Sequence, residues 1–254
     1  FIWQSGSTPT LYHDLKASIR NGRYAHPNLP LPLEQIEIDL RSRNGDITIE
    51  KATAKSGTGT ITASLDLPRD PPGSPHTQPL VPPGGKTGSV ATETQSLLDF
   101  EDRLRSVDVA ITNITVTPEL FGKLPGKAQK IQEMFLPSGL LSVNYVFRRT
   151  ANGWTKRLVV QPNGLETTYC GFPYRVRNVH GTVVHTVTSS SMDHIALDLK
   201  GEGMGSMVAL TGTIRGTAPD NDVDLRIEGA GVTLDEELIN AMPDDNPALL
   251  RKFH

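Results

Sequence analysis

Apolar and polar residues alternate along much of the chain, and this period of two is the feature that most limits its possible folds. Successive side chains of a β-strand point to opposite faces, so the alternation predicts strands with one apolar and one polar face. Such strands are typical of antiparallel sheets, since parallel sheets are buried on both faces. The clearest runs are residues 36–40, 47–49, 61–67, 107–111, 143–147, 195–199, 208–210 and 223–227.

Asn-Gly pairs and short helical stretches punctuate the strands. Asn-Gly is the strongest short hairpin signal, so we expect turns at Asn21-Gly22, Asn44-Gly45, Asn152-Gly153 and Asn163-Gly164. Thr117 followed by Pro118 is typical of a helix start, and residues 128–135 predict a second helix. Residues 234–238 and 248–253 look like the same helical pair again. Residues 68 to about 94 are rich in Pro, Gly, Ser and Thr, which predicts a flexible insertion.

The chain also repeats itself. Val107-Asp108-Val109 matches Val223-Asp224-Leu225 at an offset of 223 − 107 = 116 residues. Leu29-Pro30-Leu31 matches Phe172-Pro173-Tyr174 at 173 − 30 = 143 residues. The offsets differ by about the length of the insertion, so one unit carries it and the other lacks it. We therefore predict two β repeat units, 1–139 with the insertion and 140–254 ending in a helical pair. We expect the chain to be a fragment that ends inside a third repeat.

This succession of motifs resembles the AsmA-like/TamB-like superfamily of bacterial envelope proteins. The motifs concerned are Phe172-Pro173-Tyr174, Val179-His180-Gly181-Thr182-Val183, Gly201-Glu202-Gly203, residues 208–214 and residues 232–238. The resemblance implies a mainly β fold: repeated antiparallel β-sheet units curled into a groove or taco-like layer, with short helices between units. It further implies a periplasmic or cell-envelope location and a membrane-anchored parent, with a role in lipid transport or outer-membrane biogenesis. Envelope proteins would be further partners, and the family has no catalytic residues to carry over.

An apolar sheet face left open would form a trough suited to acyl chains, with phospholipid or another acyl-chain lipid as partner. The alternative is that the same side chains form a closed core between two sheets or beneath the helices. The candidate lipid-facing residues are Ile47, Ile49, Ile61, Leu65, Val109, Ile111, Val143, Phe147, Leu197, Leu199, Leu210, Leu225 and Ile227.

The remaining sequence features argue against other functions. The net charge is −3 and the pI is near 6.2, which gives no electrostatic basis for nucleic-acid binding. A single cysteine, Cys170, rules out an intrachain disulfide. His180, His185 and His194 have odd successive spacings that place neighbours on opposite strand faces, so we predict no metal site. Gly201-Glu202-Gly203-Met204-Gly205 lies between strands and predicts a hairpin turn or a β-bulge. We predict no cofactor and no enzymatic activity.

Two other functions stay open beside lipid binding. One is a structural or adhesive β-repeat module that contacts other proteins. The other is a hydrolase whose active-site residues are scattered along the sequence. An open apolar groove would favour the lipid function, a closed dry core the structural module, and convergent polar residues in a deep pocket the hydrolase.

Overall fold

The strands of the chain form one antiparallel sheet in a computed structural model that describes residues 12–26, 31–69, 103–124, 126–170, 172–203, 205–216 and 221–231. The first five strands are β1 (Asp14–Tyr24), β2 (Leu33–Arg43), β3 (Asp46–Ser56), β4 (Gly59–Leu67) and β5 (Ser106–Val116). Two helices follow, α1 (Pro118–Gly122) and α2 (Gly126–Phe135). The remaining strands are β6 (Gly139–Thr150), β7 (Gly153–Tyr169), β8 (Phe172–Thr188), β9 (Ser191–Gly203), β10 (Ser206–Arg215) and β11 (Asp222–Ala230).

The sheet is a meander in which each strand pairs with the strands before and after it in sequence. Within the described residues β1 and β11 are its two edges, so the sheet is open. It is also uncurled. The expected fold class, mainly β with antiparallel strands and a short helical pair, is confirmed, whereas the expected curl into a groove or taco-like layer is not present in the described part of the sheet. The boundary predicted between residues 139 and 140 falls at the start of β6, and β6 pairs with β5 across it. The sheet is therefore continuous across that boundary.

Two of the four predicted Asn-Gly turns are hairpin turns and two are not. Asn44-Gly45 links β2 to β3, and Asn152 lies in the turn between β6 and β7. Asn21-Gly22 instead lies inside β1, and Asn163-Gly164 lies inside β7, where the strand registers shift. Asn21 and Gly164 have φ angles of 51° and 80°, so the pairs form β-bulges. A hairpin turn and a bulge both need positive φ, which explains why the prediction was wrong at these two pairs.

The bulges recur at the repeat offset. The β2–β3 register shifts between Glu34 and Glu37, and the β8–β9 register shifts between Arg177 and His180. Arg177 follows Glu34 by 177 − 34 = 143 residues, and His180 follows Glu37 by 180 − 37 = 143 residues. This is the offset found in the sequence. Strands six apart in order are therefore equivalent, with β1 matching β7 and β5 matching β11. The internal repeat extends to backbone irregularities as well as to side-chain pattern.

The helical pair between β5 and β6 begins and ends near the predicted residues. Thr117 caps α1, because its hydroxyl oxygen accepts a hydrogen bond from the Leu120 N–H at 3.3 Å. Pro118 occupies the first turn, where its missing N–H costs nothing. The insertion predicted from residue 68 lies almost entirely outside the described residues, as do the helices predicted at 234–238 and 248–253.

Candidate apolar binding face

One face of the sheet carries a straight row of aliphatic side chains across six neighbouring strands. Residues paired directly across antiparallel strands point to the same face. The row runs from β4 to β9 through Ile61, Ile111, Val143, Val160, Val183 and Leu197, each directly opposite the next. We call these six residues the central strip. At a strand spacing of about 4.8 Å it is roughly 24 Å long.

The sequence-predicted candidates all lie on the face that carries the central strip. Direct pairings such as Ile47 with Leu67, and alternation along each strand, place them together. Most are half-buried, whereas Phe147 is buried and the β11 residues Leu225 and Ile227 are exposed. The candidates are Ile47, Ile49, Ile61, Leu65, Val109, Ile111, Val143, Phe147, Leu197, Leu199, Leu210, Leu225 and Ile227. We call this side of the sheet the apolar face.

At one end of the apolar face the helical pair covers the sheet. Phe121 of α1 packs in a buried cluster with Val116, Leu165 and Val179. Leu199, one of the candidates, packs against the rim of this cluster. This end of the face is therefore a buried core beneath α1.

At the other end a second buried cluster closes the apolar face. Leu104, just before β5, packs with Leu67 and Phe147, and all three are at most 6% exposed. Ile47 and Leu65 pack against these residues. The apolar face is thus covered at both ends of its strands.

The central strip lies between the two clusters and belongs to neither. Its six side chains are half-buried. Within the described residues the helices pack at one end of the strands and Leu104 at the other, so no second layer packs over the middle of the face. An aliphatic surface with this placement offers area that an apolar ligand could bury, and such burial needs no directional bonds.

Val160 and Val183 are site residues that the sequence pattern missed. Both β7 and β8 carry consecutive valines, Val159-Val160 and Val183-Val184, which obscure the period of two. Val159 pairs with Val184 and Val160 pairs with Val183, so the two pairs lie on opposite faces. Val183-Val184 has the polar residues Thr182 and His185 on its two sides, so the flanking residues do not show which valine lies on the apolar face.

A histidine–aspartate pair is one of the ionisable groups on the apolar face. His185 of β8 is directly opposite Leu158 and Ile195, which places its ring on this face. Its Nε2 lies 3.4 Å from Oδ2 of Asp193, near enough for an ion pair but without hydrogen-bond geometry. Both side chains are about one-third exposed. The pair adds a polar point beside the central strip.

The opposite face of the sheet is polar and held by cross-strand ion pairs. Arg148 of β6 lies 2.5 Å from Asp108 of β5, and Arg41 of β2 donates two hydrogen bonds to Asp14 of β1. A shallow depression of about 270 Å³ on this face is lined by polar groups that include Asp108 and Asn144. The two faces therefore differ sharply in chemistry, as the alternation predicts.

A hydrogen-bonded row crosses the sheet at the bulges. The Asn163 amide donates to Ser142 Oγ at 2.8 Å and to Asn113 Oδ1 at 3.1 Å. One strand further, the Asn178 side chain donates to Glu202 at 3.1 Å and contacts the His180 ring at 2.7 Å. These contacts satisfy side chains at the register shifts, so they fix the bulges.

The three histidines considered as metal ligands lie on different faces of the sheet. His185 lies on the apolar face, whereas His180 and His194 pair with Lys200 and Arg215 on the polar face. Among the described residues no three His, Cys, Asp or Glu side chains are grouped to hold a metal ion. Cys170 is exposed in the β7–β8 hairpin, and its backbone N–H donates to the Met134 carbonyl at 2.7 Å.

Comparison with known proteins does not assign the chain to a family. No protein-family model matches it, and neither the curated proteins nor the solved structures searched contain a match. The resemblance to AsmA-like/TamB-like proteins therefore stays a prediction. In the part of the chain that the structure describes, neither helix is long and apolar enough to cross a membrane.

Proposed function

We propose that the apolar face binds acyl chains, so that this chain contributes a hydrophobic surface for lipid transport or outer-membrane assembly in the bacterial envelope. The observation that carries the proposal is the central strip, an aliphatic row with no polar residue across six strands. The envelope location, the membrane-anchored parent and any envelope protein partners rest on the sequence resemblance alone. The acyl-chain chemistry rests on the face itself.

The energetics of such a surface suit a lipid that binds and moves. Each methylene withdrawn from water contributes about 0.8 kcal/mol. Because the attraction is non-directional, an acyl chain can shift along the row of Ile, Val and Leu side chains without breaking specific bonds. The polar face, with its ion pairs between Arg148 and Asp108 and between Arg41 and Asp14, would face water.

Two pairs of valines give a matched test on the same two strands. Val160 and Val183 form one cross-strand pair on the apolar face, and Val159 and Val184 form another on the polar face. All four are half-buried, so V160Q/V183Q and V159Q/V184Q introduce the same chemistry at similar burial. The unsubstituted chain and the two double variants would be incubated with phosphatidylglycerol–phosphatidylethanolamine vesicles and analysed by native mass spectrometry. Circular dichroism would establish that each retains its sheet.

We expect lipid adducts on the unsubstituted chain and on V159Q/V184Q, with at least a severalfold loss on V160Q/V183Q. A phospholipid with a photoreactive acyl chain should crosslink near Val143 and Leu197. Absence of adducts from the unsubstituted chain, or an equal loss in both folded double variants, would refute acyl-chain binding at this face.

The second function is a structural or adhesive β-repeat module that contacts proteins. The observation in its favour is that Phe121 and Leu104 already cover the two ends of the apolar face. If the chain is such a module, a partner protein covers the central strip. Protein-specific crosslinks at Val160 and Val183, with no lipid adducts, would support this module.

A further inference from the structure

The outer edge of β11 is the repeat equivalent of an edge that is paired elsewhere in the same sheet. β11 matches β5 at an offset of 116 residues, so Val223, Leu225 and Ile227 correspond to Val107, Val109 and Ile111. The β5 residues lie opposite Phe147, Tyr145 and Val143 of β6. Among the described residues β11 pairs only with β10, and its outer side carries no strand.

The side chains of β11 are correspondingly exposed. Val223, Leu225 and Ile227 are 53%, 42% and 74% exposed, whereas Val107, Val109 and Ile111 of β5 are half-buried. A long edge strand with exposed aliphatic side chains is a template for another strand. Because β11 is equivalent to β5, the strand that pairs with β5 shows which side chains fit the edge of β11.

A charge at the edge adds a second feature that the partner strand must match. Asp108 of β5 pairs with Arg148 of β6 at 2.5 Å, and Arg148 also donates to the Val107 carbonyl at 3.2 Å. The residue equivalent to Asp108 is Asp224, since 224 − 108 = 116. Asp224 is exposed, and no cation of the described residues pairs with its carboxylate. An arginine placed like Arg148 would complete the pair.

We infer that the outer edge of β11 binds, by antiparallel β-addition, a strand with the side-chain pattern of β6. The register follows from the β5–β6 pairing: Val, Tyr and Phe of the added strand lie opposite Ile227, Leu225 and Val223, and its arginine pairs with Asp224. Main-chain hydrogen bonds supply the affinity, and the alternating side chains with the one ion pair supply the register. This inference is independent of lipid binding, because it concerns the sheet edge.

A peptide with the sequence of residues 139–150 tests the inference directly. The labelled peptide would be titrated with the full chain and followed by fluorescence anisotropy, with the peptide alone as a measure of self-association. β1, equivalent to β7, offers a second edge that could take the same peptide, so charge reversal is needed to identify β11. The variants are D224K and, as a matched control, D198K, which reverses an exposed aspartate of interior strand β9.

We expect the peptide to bind and D224K to weaken it roughly fivefold or more, while D198K leaves it unchanged. A peptide carrying Arg148→Glu should bind weakly to the unsubstituted chain and regain affinity for D224K. This rescue excludes misfolding of D224K as the cause. The inference is overturned if the original peptide does not bind, or if D224K and D198K bind it alike. It is also overturned if the chain self-associates through β11 and excludes the peptide.

Discussion

Gln35 and Asn178 occupy the same backbone position in the two repeat units. They are 178 − 35 = 143 residues apart, and their φ angles are 49° and 51°. Each lies at a register shift within its strand, Gln35 in β2 and Asn178 in β8. Asn tolerates this left-handed conformation better than Gln does, so the second unit has the better residue for the site.

Exchange of these residues should therefore change stability in opposite directions. Gln35→Asn is expected to raise the free energy of unfolding by about 0.5–1 kcal/mol, because it relieves backbone strain. Asn178→Gln should lower it by at least as much, since it also removes the bonds to Glu202 and His180. Urea denaturation of each variant measures both changes. A loss of stability in Gln35→Asn would contradict the equivalence of the two sites.

Gly181 is required by both its backbone conformation and its surroundings. Its φ is +125°, and a Cβ there would lie 2.0 Å from the Asp198 carbonyl oxygen. Gly181→Ala should cost more than about 2 kcal/mol of stability, because the backbone of β8 or β9 must move. Gly122, with nothing within 4 Å of its Cβ position, is the control. Gly122→Ala should change the unfolding free energy by less than about 1 kcal/mol in the same thermal and urea measurements.

Leu104 anchors the chain just before β5 to the end of the apolar face. It is 6% exposed and packs against Leu67 and Phe147. Leu104→Ala should lower the free energy of unfolding by about 2–4 kcal/mol, because it leaves a cavity. Leu140→Ala, at a leucine 37% exposed in β6, should cost far less. Equal losses in the two variants would show that the cluster does not stabilise the sheet.

Asp14 and Arg41 join β1 to β2 and give the edge of the sheet a pH dependence. Hydrogen bonds from the Arg41 guanidinium, 2.9 Å and 2.5 Å long, hold the pKa of Asp14 below its ordinary value of 3.8. The ion pair therefore stabilises the folded chain at pH values above 3.8, and this contribution is lost as the pH falls through the lowered pKa.

Removal of the guanidinium should raise the pKa of Asp14. In Arg41→Gln, an NMR titration of the Asp14 carboxyl carbon is expected to give a value nearer 3.8. Lys16→Gln should raise it by less, because Lys16 acts through weaker coulombic attraction alone. Larger movement in Lys16→Gln than in Arg41→Gln would contradict the assigned cause.

The sequence sufficed for the fold class, the helical pair and the face on which the apolar candidates lie. Alternation at Val107, Val109 and Ile111 places those residues together because side-chain direction in a strand follows from position alone. It could not reveal Val160 and Val183, where a valine on the polar face follows or precedes each apolar one. Nor could alternation distinguish a covered from an uncovered face, since Phe147 and Val143 follow the same pattern. The covered parts of the face are those against which Leu104 and Phe121 pack, and these contacts are visible only in the structure.

The order of strands has a consequence for how the chain acquires its structure. Because each of the eleven described strands pairs only with its immediate neighbours in sequence, the sheet is a linear array held by nearest-neighbour interfaces. Hairpins such as β2–β3 and β6–β7 close over turns of two residues, so folding can start at several places and spread strand by strand. Such an array can lengthen through evolution by duplicating an even number of strands without repacking the rest. The 143-residue recurrence of its bulges is the record that such a duplication would leave.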